Sequence, residues 1–241
     1  MNFIAKGKYA LRPLNTSDIE QVLHIEKCVS QTLKDPKLYY FEPHEFFHEQ
    51  LQNPNSAIGA FYNDQLVGFE IATFPGLNKN NLGIDIGGLN DEELRHVVQL
   101  GPGAIHPDHR EKGLLKLIQE VHLESLKEIG YKHFLATISP NNYPSLKVTL
   151  SHGFIIKQLK VKYTDLLRYI LHLDMDSSPK EPWESVIISS IDIEGQQHQI
   201  SMGFYGYNVR KSSKGFDVMF GRDMPVNGND QTVRNVNKTV L

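Results

Sequence analysis

The most informative stretch of this sequence is residues 104–118, AIHPDHREKGLLKLI. It predicts a strand that ends near Ile105, then a polar turn, then a helix that begins at Gly113. The free main-chain N–H groups in the first turn of such a helix, with the positive end of its dipole, form a site for phosphate. Arg110 and Lys112 add positive charge, and Gly113 lets a ligand approach the main chain. The stretch therefore predicts a pyrophosphate-binding turn, although an ordinary strand–turn–helix with solvated charges would have the same residues.

The residues around this stretch predict a mixed α/β sheet. Over residues 4–175, apolar periodicity and turn signals give the order β-α-α-β-β-β-α-β-α-β-β, with helices on the faces of the sheet. Gly101-Pro102-Gly103 interrupts the strand that leads into the turn, and such an interruption predicts a bulge. No internal repeat is visible in the sequence.

The C-terminal part of the chain predicts a separate small unit. Residues 176–182 form a polar, proline-containing break, and a small antiparallel β appendage is expected over residues 183–221. Its predicted strands are residues 186–193, 199–209 and 215–220. Residues 222–241 are polar and rich in Asn, so we expect them to form a tail.

Composition limits the classes of partner. The 241 residues include 25 Lys and Arg against 28 Asp and Glu, a formal net charge of -3, so no nucleic-acid partner is expected. The single cysteine, Cys28, excludes an intramolecular disulfide. Because no apolar run reaches the ~20 residues of a membrane helix and the first residues do not form a signal peptide, we expect a cytoplasmic protein without membrane contact.

A second segment downstream supports a functional interpretation of this turn. Asn142-Tyr143-Pro144-Ser145 precedes Gly153-Phe154, and the Gly stands eleven residues after the Asn. Together the two segments resemble the acyl-CoA site of GNAT N-acetyltransferases. The turn is similar to that family's Q/R-x-x-G-x-G/A loop, matched by Arg110 and Gly113 but with Leu115 in place of Gly or Ala. The second segment is similar to the family's N-x-x-A/S…G-F.

The resemblance implies a fold and a cofactor site. It covers residues 4–175 and implies a GNAT domain over 1–175, with a mixed central sheet, helices on both faces and a splayed pair of central strands. Acetyl-CoA would be the co-substrate, and no metal is implied. The main-chain N–H of Ile105 would face the thioester carbonyl, and Asn142 and Ser145 would line the pantetheine arm. The amides that would hold the pyrophosphate are those of Arg110, Glu111, Lys112, Gly113, Leu114 and Leu115.

The resemblance also implies acyl transfer to a primary amine on a small molecule or a peptide. Many relatives use a tyrosine as the acid that protonates the leaving thiolate, but Thr149 stands at that position here. Tyr143 and Tyr163 are the substitutes nearby in sequence. Glu70 and His96 are candidate bases for removing a proton from the amine, and ordered water is an alternative. A homodimer is left open.

A zinc-peptidase pattern competes with this interpretation. His44-Glu45-Phe46-Phe47-His48 matches H-E-x-x-H on a predicted helix, where the two imidazoles would share a face. Pro43 before it and Glu49 after it are residues that such peptidases avoid, and no third-ligand pattern follows. The match is expected to be coincidental.

A rival function shares the same fold. Leu115 and Thr149 depart from the family pattern, and both are compatible with an inert module that binds acyl-CoA and reports it to a partner. A scaffold that binds no CoA is a third alternative. The aromatic stretch from Tyr39 to Phe47 lies where GNAT relatives build the acceptor wall, so it predicts an acceptor with an apolar part, unless it serves only to pack a helix on the sheet.

Overall fold

The computed structural model describes residues 4–177 and 181–224. The strands within these ranges are β1 (Ile4–Lys6), β2 (Tyr9–Pro13), β3 (Ala57–Tyr62), β4 (Gln65–Thr73), β5 (Val97–Ile105), β6 (His133–Ile138), β7 (Ile155–Lys162), β8 (Leu166–Asp174), β9 (Glu184–Ser189), β10 (Tyr205–Ser212) and β11 (Gly215–Arg222). The helices are α1 (Ile19–Thr32), α2 (His44–Gln50), α3 (Leu82–Ile86), α4 (Asp91–Arg95), α5 (Leu114–Glu128), α6 (Tyr143–Ser151) and α7 (Ile193–Ser201). None of these helices combines the length and the apolar composition that a membrane span requires.

All the described strands belong to one mixed sheet. Its order is β1-β2-β3-β4-β5-β6-β8-β7-β10-β11-β9, and β5 and β6 are its one parallel pair within the described ranges. Helices cover both faces. Ala57 on β3 packs in a cluster with Ile25 of α1, whereas its neighbour Ile58 packs with Ile118 of α5. Because successive side chains of a strand point to opposite faces, α1 and α5 lie on opposite sides of the sheet. The predicted α/β class with helices on both faces is confirmed.

The two central strands separate at the Gly-Pro-Gly. β5 and β6 pair from Val97 with His133 to Leu100 with Ala136. Beyond Leu100, β5 continues with β4 alone and the last residues of β6 continue with β8. On the β4 side, Gly101 and Pro102 together oppose Ile71, which is the arrangement of a β-bulge. The predicted bulge and the splayed pair of central strands are therefore both present.

The C-terminal part differs from the prediction at α7. Residues 193–201 form a helix, whereas strands were expected over 186–193 and 199–209. The Asp192 side chain caps the helix by accepting from the N–H of Gly195 at 2.9 Å. Gln196 is fully buried, and its amide donates to the carbonyl groups of Ser189 and Ser190. These contacts compensate for the low helix propensity of a segment with a glycine and few apolar residues.

An internal repeat becomes visible once the helix is in place. β6-α6-β7-β8 is followed by β9-α7-β10-β11, with first strands of 6 residues, helices of 9 and middle strands of 8 in both copies. Asp192 stands 50 positions after Asn142, and Gly203-Phe204 stands 50 positions after Gly153-Phe154. Both cap side chains accept from the N–H three residues later, and both glycines have positive φ. The cap and Gly-Phe positions carry this 50-residue spacing in the sequence itself, but strands had been predicted where α7 lies, and for this reason no repeat was recognised from the sequence.

The two copies meet edge to edge and share one core. β7 and β10 pair antiparallel at Ile156 and Gly206, so the strand order β6-β8-β7 is mirrored by β10-β11-β9. Phe154 and Phe220 belong to the same cluster of buried residues. Tyr169 of the first copy donates a hydrogen bond to Gln196 of the second, at 2.5 Å. The predicted appendage thus continues the sheet, and the expected tail at 222–241 lies outside the described residues beyond residue 224.

Candidate active site

A cavity of about 480 Å³ opens where β5 and β6 separate. Its walls come from the bulge of β5, the end of β6, the first turns of α5 and α6, the segment before α2, and the β7–β8 hairpin. The residues that line it include Tyr39, Tyr40, Glu42, Phe46, Glu70, Gly103, Leu115, Gln119, Thr137, Asn142, Ser145, Thr149, Lys162, Tyr163 and Arg168. The cavity combines apolar and aromatic walls with convergent polar groups, as ligand sites do.

A buried carboxylate lies beside the split. Glu70 on β4 is opposite Gly103 on β5, and it is almost completely buried. The amide of Gln119 donates to its Oε1 at 2.8 Å, and Nδ1 of His122 lies 3.2 Å from its Oε2. Both partners come from α5, so this helix orients the carboxylate. An oriented carboxylate at a strand split can accept a proton from a bound substrate.

The main chain of β5 turns donors toward the same gap. The N–H of His106 donates to the carbonyl of Val67 at 2.9 Å. Because hydrogen-bonding residues alternate along an antiparallel ladder, the N–H groups of Gly103 and Ile105 point away from β4, toward the gap. Gly103 lines the cavity, whereas Ile105 does not.

The polar turn ends in an uncapped helix. Gly113 has φ of 73° and precedes α5, and no side chain caps the first turn. A Cβ on Gly113 would meet no atom within 4 Å, so the main chain is open to a ligand. The side chains of Arg110 and Lys112 bond instead to neighbouring groups, Arg110 to the carbonyl of Ile105 and to Thr32. What the turn offers is therefore mainly the amides of the uncapped helix.

Solved structures with a similar fold were found for much of the chain. The acetyltransferase of GNAT family from Streptococcus pneumoniae has a TM-score of 0.51 at 16% identity, covering 69% of this chain and 99% of its own. The putative acetyltransferase yncA from Salmonella typhimurium, solved with acetyl-CoA, has a TM-score of 0.52 at 15% identity, and the match covers 76% of this chain and 100% of its own. Diaminobutyrate acetyltransferase EctA from Paenibacillus lautus, in complex with L-2,4-diaminobutyric acid and coenzyme A, has a TM-score of 0.52 at 12% identity. The match covers 71% of this chain and 98% of its own.

This chain has the GNAT fold. No protein-family model and no curated protein matches the sequence. The likeness is therefore one of structure at low identity, and it extends over nearly the whole of each solved neighbour. The central-strand split and the N-terminal part of α5 are among the parts of this GNAT fold from which the cavity is built.

The segment Asn142–Ser145 contributes to the wall of the cavity. Asn142 caps α6 by accepting from the N–H of Ser145 at 3.3 Å, and both residues line the cavity. Leu115 faces them from α5, while its neighbour Leu114 is buried beneath the turn. Thr149 is also buried, with its hydroxyl 3.5 Å from Oε1 of Gln119. Residues from both predicted motifs thus meet in one cavity.

Two of the three candidate catalytic residues lie outside the cavity. His96 follows α4 at the other end of β5, and its Nδ1 is 2.9 Å from the carbonyl of Glu92. Tyr143 packs its ring against Phe216, with ring centroids 5.2 Å apart. The structure therefore places neither His96 nor Tyr143 in the cavity with Glu70. Of the predicted pyrophosphate loop, Leu115 lines the cavity, whereas Arg110, Glu111, Lys112, Gly113 and Leu114 do not.

The far end of the cavity has an aromatic wall. Tyr40 and Tyr163 stack with ring centroids 4.5 Å apart, and the Tyr163 hydroxyl lies 2.9 Å from Oγ1 of Thr137 on β6. Burial raises the pKa of the Tyr163 phenol, so its hydroxyl keeps its proton. Tyr39 and Phe46 from the predicted aromatic stretch complete this wall. Sequence reasoning had Tyr163 only as a neighbour of the second motif; its tertiary partner, Tyr40, lies more than 120 positions away.

The His and Glu residues of the H-E-x-x-H pattern lie at the surface of the protein. His44, Glu45 and His48 are exposed on α2, and no third ligand gathers with them among the described residues. The described ranges do hold one group of three potential metal ligands, outside the cavity. His24, Cys28 and His106 have ligand atoms within 4.8 Å of one another.

Glu26 lies behind the aromatic wall and titrates unusually. It accepts a hydrogen bond from the Tyr39 hydroxyl and is buried on α1. Burial raises its pKa from 4.5 to about 7, the hydrogen bond from Tyr39 lowers it, and the charge of Glu42 raises it further. The folded state therefore holds the Glu26 proton to higher pH than the unfolded chain does. It follows that this residue makes the fold less stable as pH rises from 4.5 to 7, with no further loss well above 7.

We expect Glu26→Gln to remove the loss of stability that Glu26 causes as the pH rises. A neutral amide mimics the protonated acid, so the variant should match the wild type at pH 4.5 and exceed it at pH 8 by up to about 3 kcal/mol of unfolding free energy. Urea unfolding at pH 4.5 and at pH 8 measures the free energy of unfolding of the wild type and of the variant. Glu20→Gln, an exposed residue on the same helix, is the control and should show no such gain. An equal difference between Glu26→Gln and wild type at both pH values would contradict the assignment.

Proposed function

We propose that the protein transfers an acyl group, acetyl in the simplest case, from CoA to a primary amine. The observation that carries this proposal is the buried carboxylate of Glu70 in the wall of a cavity at the strand split. The solved neighbours with the same fold support it, because two of them were crystallised with acetyl-CoA or coenzyme A. The acceptor would be a small molecule or a peptide.

The residues around the turn fit CoA as a substrate. The uncapped first turn of α5, open at Gly113, suits a pyrophosphate held by main-chain amides from Arg110 to Leu115. Asn142 and Ser145 on the facing wall suit the polar pantetheine arm. Leu115 narrows the passage between them, since it extends into the cavity where the family pattern has Gly or Ala.

The reaction needs a proton acceptor, an oxyanion site and a proton donor. The amine nitrogen attacks the thioester carbonyl carbon, the C–S bond breaks, and Glu70 takes the proton of the amine directly or through one water. The Gly103 N–H, aimed at the gap, stabilises the negative oxygen, with the Ile105 N–H farther along the same strand. The Tyr163 hydroxyl returns a proton to the leaving thiolate, and it replaces Tyr143 in this role because it lies in the cavity.

Titration of acetyl-CoA by calorimetry tests the first half of the proposal. Saturable binding is expected, and Gly113→Trp should weaken it at least tenfold because a side chain at this position enters the phosphate site. Gly130→Trp is the matched control, since Gly130 also has positive φ and open space but follows the other end of α5. The affinity of Gly130→Trp for acetyl-CoA should stay within about twofold of the wild-type value.

Thiol release with a panel of amines tests the second half. Turnover with at least one amine supports the enzyme. Binding of acetyl-CoA without turnover by any amine would favour the rival function, an inert acyl-CoA sensor, which the buried Thr149 at the family's tyrosine position would then explain. No binding at all would reject both.

A further inference from the structure

A buried arginine with an unused donor lies at the end of the cavity beyond the aromatic wall. Arg168 on β8 is 3% exposed and lines the cavity. Its Nη1 donates to the carbonyl of Leu167 at 3.0 Å. Its Nη2 is buried and has no hydrogen-bond partner within residues 4–177 and 181–224. Burial lowers the pKa of this guanidinium, which Tyr163 and Asp35 oppose electrostatically.

The charge of Arg168 is not balanced by an ion pair in the described part of the chain. Asp35 acts on it only at a distance. The other cation at this end, Lys162, is already bound to Asp85 at 2.6 Å, and Lys160 shares the same carboxylate at 2.9 Å. A buried guanidinium with a free donor is costly unless an anion joins it. Arg168 is among the residues that line the cavity, so the anion is expected to arrive with a ligand.

We propose that the acceptor is an amine that also carries a carboxylate, and that this carboxylate binds Arg168. The inference rests on the proposed function and names the substrate class for the same cavity. A guanidinium offers parallel N–H donors that match the two oxygens of a carboxylate. The acceptor would lie along the aromatic wall between Tyr40 and Phe46, with its amine directed to the strand split and Glu70. An amino acid with an apolar or aromatic side chain meets these requirements.

The cavity distributes charge in the way such a substrate needs. Glu70 lies at the split, where a positive amine first binds, while Arg168 lies in the wall that β8 supplies, with β6 between β5 and β8. Glu42, half-buried beside the aromatic wall, has its pKa raised by burial. An amine without a carboxylate would leave the Arg168 donor unpaired, and this is the basis of discrimination.

Matched pairs of acceptors test the proposal. L-phenylalanine and phenethylamine, or L-tyrosine and tyramine, differ only by the carboxylate. We expect the wild type to prefer the amino acid by tenfold to a hundredfold in kcat/KM, the range of a charged hydrogen bond. In Arg168→Gln the preference should fall to about threefold or less, and Arg168→Lys should restore part of it. Arg210→Gln, an exposed arginine on β10, should keep the full preference.

A binding experiment separates failure of this inference from failure of the proposed function. L-phenylalanine and phenethylamine are titrated by calorimetry into the protein saturated with CoA, which needs no turnover. Tighter binding of L-phenylalanine that is lost in Arg168→Gln supports the carboxylate site even if no amine is acylated. Equal affinity for both molecules, or a preference that survives Arg168→Gln, overturns it even if the protein proves to be an acyltransferase. Circular dichroism of Arg168→Gln confirms that the variant is folded.

Discussion

Glu70→Gln is expected to lower kcat for acyl transfer by about 10²–10³-fold, the usual contribution of a general base. The amide keeps the shape of the side chain but cannot take the proton of the amine. It can still accept from Gln119, whereas its own N–H group would face the His122 ring. Steady-state rates at saturating acetyl-CoA measure the loss.

Two measurements keep this interpretation distinct from misfolding. Acetyl-CoA affinity should stay within about twofold of wild type, because Glu70 lies on the acceptor side of the split and the pyrophosphate site lies at α5. Glu45→Gln, on the exposed side of α2, should leave kcat unchanged. Retention of more than a tenth of the wild-type rate in Glu70→Gln would assign proton removal to water alone.

Phe220→Ala is expected to destabilise the whole chain by about 3–5 kcal/mol. Phe220 on β11 has no exposed surface and shares its cluster with Phe154 and Tyr169 of the first copy. Because the cavity left by the ring lies in a core common to both copies, both should unfold together. The expected division into a domain over 1–175 and an appendage over 183–221 remains a prediction, and this experiment tests it.

Two probes decide between joint and separate unfolding. Trp183, the single tryptophan, reports on the edge of the second copy, and far-UV circular dichroism reports on all helices and strands. Coincident urea transitions by both probes are expected in the wild type and in Phe220→Ala. Ile187→Ala, at a site 44% exposed on β9, should change stability by less than about 1 kcal/mol. A tryptophan transition that shifts alone would show two independent units.

Local signals accounted for most of the fold and for half of the candidate site. The Gly-Pro-Gly interruption predicted the bulge because a proline without an N–H cannot continue a ladder. Gly113 and Asn142 were found because a helix start imposes its own residue preferences, which do not depend on the remainder of the chain. The role of each of these residues can be predicted from its immediate neighbours in the sequence.

The acceptor half could not be predicted in the same way. Nothing near Arg168 in the sequence says that its guanidinium is buried, since this depends on the packing of the β7–β8 hairpin against Tyr40 and its neighbours. The helix α7 was missed for a related reason, because its stability comes from the burial of Gln196 and the bond from Tyr169. Glu70 was one of two candidate bases, and only the fold separated it from His96.

The mirrored pairing of β7 with β10 also determines how this protein can meet another copy of itself. A strand at the edge of a sheet presents unpaired N–H and C=O groups, which makes it a template for further pairing. The second copy lies beside β7 and pairs with it at Ile156 and Gly206, so this edge already has a neighbour within the chain. In the part of the chain that the structure describes, β1 and β9 are the terminal strands, and exposed Trp183 and Ile187 accompany β9. Association through strand edges would therefore extend the sheet from its ends and leave the cavity at the split uncovered.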